Sequence, residues 1–176
     1  MGGFTMIELI VTMFVGAMLL AIAIPALNNF VLSDRDTGQV NSLASSFNYA
    51  RSEAVRRNTS YGIEVCPSGG GTTCNAGALW SQGWIVLDLD PADTTPVLQA
   101  VPAFAGSNNV TATGTGATGI TFTDLGGTAG GTQIVITICD SRGAANARDV
   151  EVSSIGSTQA SPNFGFQVNG TALSCP

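Results

Sequence analysis

The sequence predicts an α+β protein in which a long N-terminal α-helix packs on a head of antiparallel β-sheets. Residues 4–32 are predominantly apolar and carry a single charged side chain, Glu8, so the stretch is long enough to cross a bilayer as a helix. Beyond residue 58 the pattern changes to short segments rich in β-branched residues, separated by Gly- and Pro-containing turns. A helix followed by a run of strands is the order typical of an α+β protein.

The helix is expected to continue past its apolar part. Val40, Leu43, Phe47, Ala50 and Ala54 recur at three- and four-residue steps and form one stripe of an amphipathic helix. This stripe predicts that the lower half of the helix packs against the head. The expected polar face carries Asp34, Arg35, Gln39, Asn41, Arg51, Glu53 and Arg57, and Asn58 is the expected end of the helix.

After the first three residues, these patterns divide the chain into three predicted segments. Residues 4–32 form the half of the helix that can lie in a membrane, 33–58 the amphipathic half, and 59–176 the β-rich globular head. Strands are expected in the head at residues 61–66, 83–89, 97–101, 109–112, 120–123, 132–139, 149–153 and 163–168.

The charge is distributed unevenly along the chain. Residues 4–57 hold four acidic and four basic side chains, whereas the head carries eight acids against Arg142 and Arg148, which accounts for the whole net charge of −6. A head with this negative charge disfavours extensive electrostatic binding to the phosphate backbone of nucleic acids. Histidine and lysine are absent, so a hydroxyl nucleophile would have no ordinary base. We therefore expect no enzyme activity and no cofactor.

The four cysteines indicate an oxidising compartment outside the cytoplasm. They allow three pairings, of which we prefer Cys66 with Cys74, across a Pro- and Gly-rich loop, and Cys139 with Cys175, which would fasten the C-terminus to a central strand. Zinc binding by four thiolates stays open as the alternative, although the seven residues between Cys66 and Cys74 exceed the usual zinc spacing.

The N-terminal stretch resembles a known export and assembly signal. Residues 3–10 read Gly-Phe-Thr-Met-Ile-Glu-Leu-Ile and precede the long apolar run. This pattern is similar to the class III signal of type IV pilins and of type II secretion pseudopilins. The resemblance implies cleavage by a prepilin peptidase between Gly3 and Phe4 with methylation of the new amine, pairing of Glu8 with the Phe4 amine of a neighbouring subunit, and a helix-kinking role for Pro25. By the same resemblance, residues 1–3 are the remnant of a leader peptide, and residues 4–32 lie in a membrane or in the core of a filament. The family's leader is usually longer and basic, whereas residues 1–3 carry no charge.

Sequence motifs in the head indicate which group of pilin-like proteins the chain resembles. Residues 51–58 (Arg-Ser-Glu-Ala-Val-Arg-Arg-Asn), 66–68 (Cys-Pro-Ser), 80–88 (Trp-Ser-Gln-Gly-Trp-Ile-Val-Leu-Asp) and 134–139 followed by 148–153 resemble the GspH/FimT family of minor pilins and pseudopilins, on its FimT/FimU side. The resemblance implies a subunit that sits in the bacterial inner membrane by a single pass, with its head in the periplasm, and later in a pilus at the cell surface. Its implied partners are other pilins, the prepilin peptidase and the inner-membrane assembly platform.

Some FimT-like pilins bind DNA through a basic Gly-Arg-x-Arg stretch near the C-terminus. Residues 152–159 (Val-Ser-Ser-Ile-Gly-Ser-Thr-Gln) occupy the corresponding place and contain no arginine. Phosphate contacts would rest on Arg142 and Arg148 alone, so we do not expect direct DNA binding.

The tryptophans and a pair of aspartates are two further candidate sites. Trp84 opens a strand and is expected in the core, whereas Trp80 lies in a loop and is the better surface candidate for stacking a sugar or a base. Asp88 and Asp90 are two positions apart on a predicted strand, so their side chains lie on the same face. We expect them to be solvated; a calcium site that includes Asp93 is the alternative.

The resemblance, together with the absence of a catalytic base, implies a structural, non-enzymatic subunit: a minor pilin that primes or caps a type IV pilus. A type II secretion pseudopilin and a major pilin are the alternatives within the same class. From a different class, a receptor at the pilus tip that binds DNA or another ligand stays open.

Overall fold

The structure is a computed structural model that describes residues 5–58, 60–106 and 108–175. Over these residues it contains one α-helix followed by eight β-strands, with short 3₁₀ turns between strands. The predicted α+β fold is thereby confirmed. The chain divides into two units, and the boundary lies between Arg35 and Asp36, inside the helix.

Helix α1 spans Met6–Arg57 and has 52 residues. In its first unit Pro25 lies inside the helix, which continues beyond it although proline supplies no backbone N–H. Most large apolar side chains of this unit are more than half exposed, among them Ile10, Phe14, Leu19, Ile22, Leu27 and Phe30.

The second part of α1 belongs to the head. The five residues of the predicted stripe are each at most 2% exposed, which confirms the amphipathic assignment. Gln39 is a correction: the sequence placed it on the polar face, but it is buried and its amide donates to the carbonyl of Ala105 at 3.3 Å. Burial of an amide is tolerated here because its polar atoms find partners.

The helix ends where the sequence predicts. Asn58 follows Arg57 with φ of 51°, the left-handed conformation that asparagine tolerates at a helix C-terminus. Its backbone N–H still bonds to the carbonyl of Ala54 at 3.1 Å, so the chain turns away after one last helical hydrogen bond.

The strands form two antiparallel four-stranded sheets. Their bounds are β1 Ile63–Pro67, β2 Trp84–Asp88, β3 Val97–Val101, β4 Asn109–Thr113, β5 Ile120–Phe122, β6 Ile134–Cys139, β7 Arg148–Val152 and β8 Thr158–Ala160. One sheet has the order β3-β2-β1-β5 and the other β4-β6-β7-β8. Seven of these strands overlap the predicted ones.

A single cluster of buried side chains joins the helix to both sheets. Phe47 of α1 lies with its ring centroid 5.8 Å from that of Trp80 and 6.5 Å from that of Phe122. Trp84, fully buried as predicted, makes an edge contact with Phe104 at 5.2 Å. The β-branched residues of β6 and β7 complete this cluster.

The prediction of a last strand at residues 163–168 is wrong. The eighth strand is β8 instead, because a tight turn, in which Gly156 donates its N–H to the carbonyl of Ser153, brings residues 158–160 beside β7. Residues 163–168 contain Gly165 with φ of 77° and form only an isolated bridge from Phe166 to Ala172. A left-handed glycine interrupts the extended backbone that a strand needs.

Two disulfides cross-link the head. The structure joins Cys66 to Cys74, with Cα atoms 5.5 Å apart, and Cys139 to Cys175, with Cα atoms 6.0 Å apart. The second bridge ties the C-terminal segment to the end of β6. There Cys139, Ala147 and Leu173 form a small buried cluster, against which Cys175 packs.

Candidate functional site

The first unit of α1 is an uncovered apolar helix. An 18-residue window of the helix has a mean hydropathy of 2.5, and none of it is buried inside the structure. Exposed apolar surface of this extent marks a membrane-embedded or partner-binding element, since water disfavours it. It is long and apolar enough to cross a membrane.

Glu8 is the charged residue of this apolar surface. It lies in the first turn of α1, and its backbone N–H bonds to the carbonyl and the hydroxyl of Thr5 at 3.2 and 3.3 Å. Its side chain is exposed, and no cation among the described residues forms an ion pair with its carboxylate. Gly3 and Phe4, the predicted processing site, lie outside the described residues, so cleavage there and pairing with Glu8 stay predictions.

Charged groups at the C-terminal end of α1 fasten the helix to the head. The guanidinium of Arg57 bonds to Asp88 at 2.5 Å and to both Asp93 and Glu53 at 3.1 Å. A hydrogen bond from Arg56 lowers the pKa of Glu53, and the backbone N–H of Thr95 does most to lower that of Asp93.

This cluster corrects the expectation for the aspartates. Asp88 is 4% exposed rather than solvated, because it closes the ion pair with Arg57. Its second oxygen accepts the N–H of Asp90, whose own carboxylate accepts the N–H of Ala92. A guanidinium lies between Asp88 and Asp93, where the calcium alternative requires a cation, so these acids serve the fold.

A second polar cluster lies where the head begins, and the sequence did not indicate it. Asp36 is fully buried; it accepts a hydrogen bond from Asn108 at 2.6 Å and pairs with Arg142 at 3.4 Å. Arg142 also donates its Nε–H to Asp140 at 2.7 Å, and Asn108 donates to Gln39 at 2.7 Å. Burial raises the pKa of Asp36. Asp140 is buried too, yet the hydrogen bonds from Arg142 hold its pKa below the usual range.

The two arginines beyond residue 58 are thus engaged inside the head. Arg142 is occupied by Asp36 and Asp140. Arg148 donates to the hydroxyl of Thr37 at 2.9 Å and to the carbonyl of Ser161 at 2.7 Å, and its guanidinium lies 4.8 Å from the ring centroid of Phe164. These contacts disfavour the phosphate contacts that DNA binding would need.

The prediction for Trp80 is also wrong. The sequence made it the surface candidate, but it is 3% exposed, packs on Phe47 and donates its indole N–H to the carbonyl of Ala117 at 2.9 Å. The loop that carries it folds into a 3₁₀ turn against the core, so the ring is not available for stacking a ligand.

Asp149 on β7 is a buried carboxylate that the sequence did not reveal. It is fully buried, and neither of its oxygens has a hydrogen-bond partner among the described residues. The hydroxyl of Ser161 donates instead to the carbonyl of Asn163 at 2.8 Å. Burial raises the pKa of Asp149 to about 6. Strand alternation with Val150 and Val152 would have placed it on a solvated face.

Residues 39–156 match the family described as Type II transport protein GspH. The chain belongs to the GspH family. Membership in this group of minor pilins and pseudopilins, together with the uncovered apolar helix, indicates anchoring in a membrane and assembly with other pilins in a filament. The family resemblance predicted from the sequence is confirmed.

Two solved structures share the fold, both of the type IV minor pilin FimU of Pseudomonas aeruginosa strain PAO1. The crystal form in space group P21 has 22% identity and a TM-score of 0.61, and the match covers 84% of this chain and 99% of FimU. The form in space group P65 has 22% identity and a TM-score of 0.57, covering 80% and 99%. No curated protein matches the chain in sequence.

Proposed function

We propose that the chain is a minor pilin that primes or caps the assembly of a type IV pilus, without enzymatic activity of its own. The observation that carries this proposal is the exposed apolar helix whose charged residue, Glu8, lies in the first turn. A carboxylate in apolar surroundings is costly unless a cation neutralises it. A free α-amine on Phe4 is the partner that the sequence offers.

In the proposed sequence of events, a prepilin peptidase cuts between Gly3 and Phe4 and methylates the new amine. The helix then leaves the inner membrane at the assembly platform and packs its apolar surface against neighbouring helices. Glu8 pairs with the amine of an adjacent subunit's Phe4, while Pro25 supplies the bend that resemblance to pilins implies. The disulfide-linked head stays outside the membrane and forms the lateral contacts.

Glu8→Ala tests the charge pairing. We expect the variant to stay membrane-inserted, because the apolar run is unchanged, but to be lost from sheared filaments. Asp34→Ala, which removes a carboxylate from the same helix beyond the apolar run, is the matched control and should assemble as the wild type does. Abundant incorporation of Glu8→Ala into filaments would contradict the pairing.

A type II secretion pseudopilin is the second candidate, favoured by the description of the family that matches residues 39–156. Deletion of the gene separates the two. Loss of surface filaments with normal secretion supports the pilin, whereas accumulation of secreted enzymes in the periplasm with normal pili supports the pseudopilin.

A further inference from the structure

A groove of about 470 Å³ opens on the head between the last turns of α1 and the turn that follows β5. It is lined by Asn48, Arg51, Ser52, Val55, Arg56, Leu125 and Gly126. Leu125 is 90% exposed and Val55 is 50% exposed, so the groove presents apolar surface to solvent. A leucine as exposed as this contributes little to the core of its own domain.

Arg51 brings a positive charge to the same groove. Its Nε–H donates to the carbonyl of Gly126 at 2.8 Å. Among the described residues its other guanidinium N–H groups have no hydrogen-bond partner and no carboxylate forms an ion pair with it, in contrast to Arg57 and Arg142. The charge of Arg51 is therefore available to an external anion.

Two glycines hold this arginine in place. Gly126 and Gly156 have φ of 77° and 75°, and a Cβ on Gly156 would lie 2.0 Å from the carbonyl oxygen of Gly126. Only residues without a side chain let the two turns approach so closely, which positions the carbonyl against Arg51. Because the side chain is already fixed, a ligand that binds it loses less rotamer freedom.

A cation beside exposed apolar surface fits a carboxylate with a neighbouring apolar side chain. The terminal N–H groups of a guanidinium suit a carboxylate in particular, since two parallel hydrogen bonds can form. Residues 59–176 carry a net charge of −6, which repels nucleic acid and anionic lipid. A protein segment with a single acidic residue meets less of this repulsion than a polyanion does.

We propose that the groove docks a segment of a neighbouring filament subunit that carries one acidic residue, with its carboxylate on Arg51 and a neighbouring apolar side chain against Leu125 and Val55. This inference rests on the proposed function, because it requires the chain to stand beside other pilins. It adds a lateral contact of the head to the contacts made by the helix.

Photo-crosslinking in assembled filaments tests the proposal with the full chain. A photoreactive benzoylphenylalanine replaces Leu125, and in a separate strain Leu79, which is 56% exposed but does not line the groove. We expect an adduct from position 125 with another pilin, joined at a peptide that contains Asp or Glu. Position 79 should give no adduct that depends on Arg51.

Variants at Arg51 separate charge from structure. Arg51→Lys keeps the cation and should retain most of the adduct, whereas Arg51→Gln keeps an N–H for the Gly126 carbonyl but loses the charge. We expect Arg51→Gln to lower the yield roughly fivefold and Arg51→Glu by more than about tenfold. Equal yields in all variants, or equal losses in Lys and Gln with a destabilised head, would contradict the proposal.

The amount of the protein in sheared filaments distinguishes the two proposals. Filaments that contain the protein but give no pilin adduct from position 125, or an adduct with lipid or nucleic acid, would overturn the groove proposal alone. Absence of the wild-type protein from filaments would overturn the proposed function, and this inference with it.

Discussion

The two parts of helix α1 differ in how far they bury the same type of residue. Phe14, in the unit before Asp36, is 66% exposed, whereas Phe47 is fully buried in the core of the head. The first part is predominantly apolar, and its apolar window is not covered by the rest of the structure. The second part is apolar along one stripe, which is buried in its own head. Folding of the head and assembly of the helix should therefore be separable by mutation.

The largest effect is expected from a matched pair of phenylalanine substitutions. Phe47→Ala removes a ring from the core and should lower the free energy of unfolding of the head by about 4 kcal/mol. Phe14→Ala should leave that free energy unchanged and lower incorporation into filaments. Urea unfolding of the full chain in detergent, followed by tryptophan fluorescence, measures the first effect, because both tryptophans lie in the head. A comparable loss of stability in Phe14→Ala would show that the first part of the helix also stabilises the head.

The disulfides give effects of similar or smaller size, which should be confined to the head. Cys139→Ser with Cys175→Ser opens a separation of 36 residues, and Cys66→Ser with Cys74→Ser opens one of 8. Loop-closure entropy predicts losses of about 4 and about 2.5 kcal/mol respectively. Thermal unfolding of both double variants should show this order. The reverse order would mean that strain or residual structure outweighs chain entropy.

Asp149 predicts a smaller effect with a defined pH dependence. Its pKa in the folded head is raised to about 6 by burial, so the folded state holds its proton more tightly than the unfolded state does. The stabilisation is complete at acid pH and is lost as the pH rises from about 4 through 6, by roughly 3 kcal/mol in total. Asp149→Asn should therefore be more stable than the wild type at pH 7.

Unfolding at pH 4 and pH 7 checks this sign. The difference between Asp149→Asn and wild type should be larger at pH 7 than at pH 4. Asp34→Asn, which removes an exposed carboxylate, should show the same difference in stability between pH 4 and pH 7 as the wild type. An Asp149→Asn variant that is less stable at pH 7 would show that the carboxylate has a partner in solution.

Local periodicity was enough to predict the helix, its buried stripe, its end at Asn58 and seven of the strands. These features depend on neighbours close in sequence, such as Val40 and Leu43 one turn apart. The failures have a common cause in contacts between distant segments. Trp80 looked like a loop residue because its partners, Phe47 and Ala117, are far away in the chain.

The polar clusters were missed for the same reason. Asp36 and Arg142 are 106 positions apart in the sequence, and no local pattern relates them. Asp149 alternates with valines as a solvent-facing residue would, and only the fold reveals its burial. The groove at Arg51 and Leu125 likewise depends on two glycine turns meeting a helix.

The most direct test of the account is intact-mass and N-terminal analysis of the protein from sheared, purified filaments. We predict a chain that begins at methylated Phe4, which would establish peptidase processing and filament residence together; its abundance relative to other subunits would separate a minor from a major pilin. A chain that retains residues 1–3 and is found only in the membrane fraction would contradict the account.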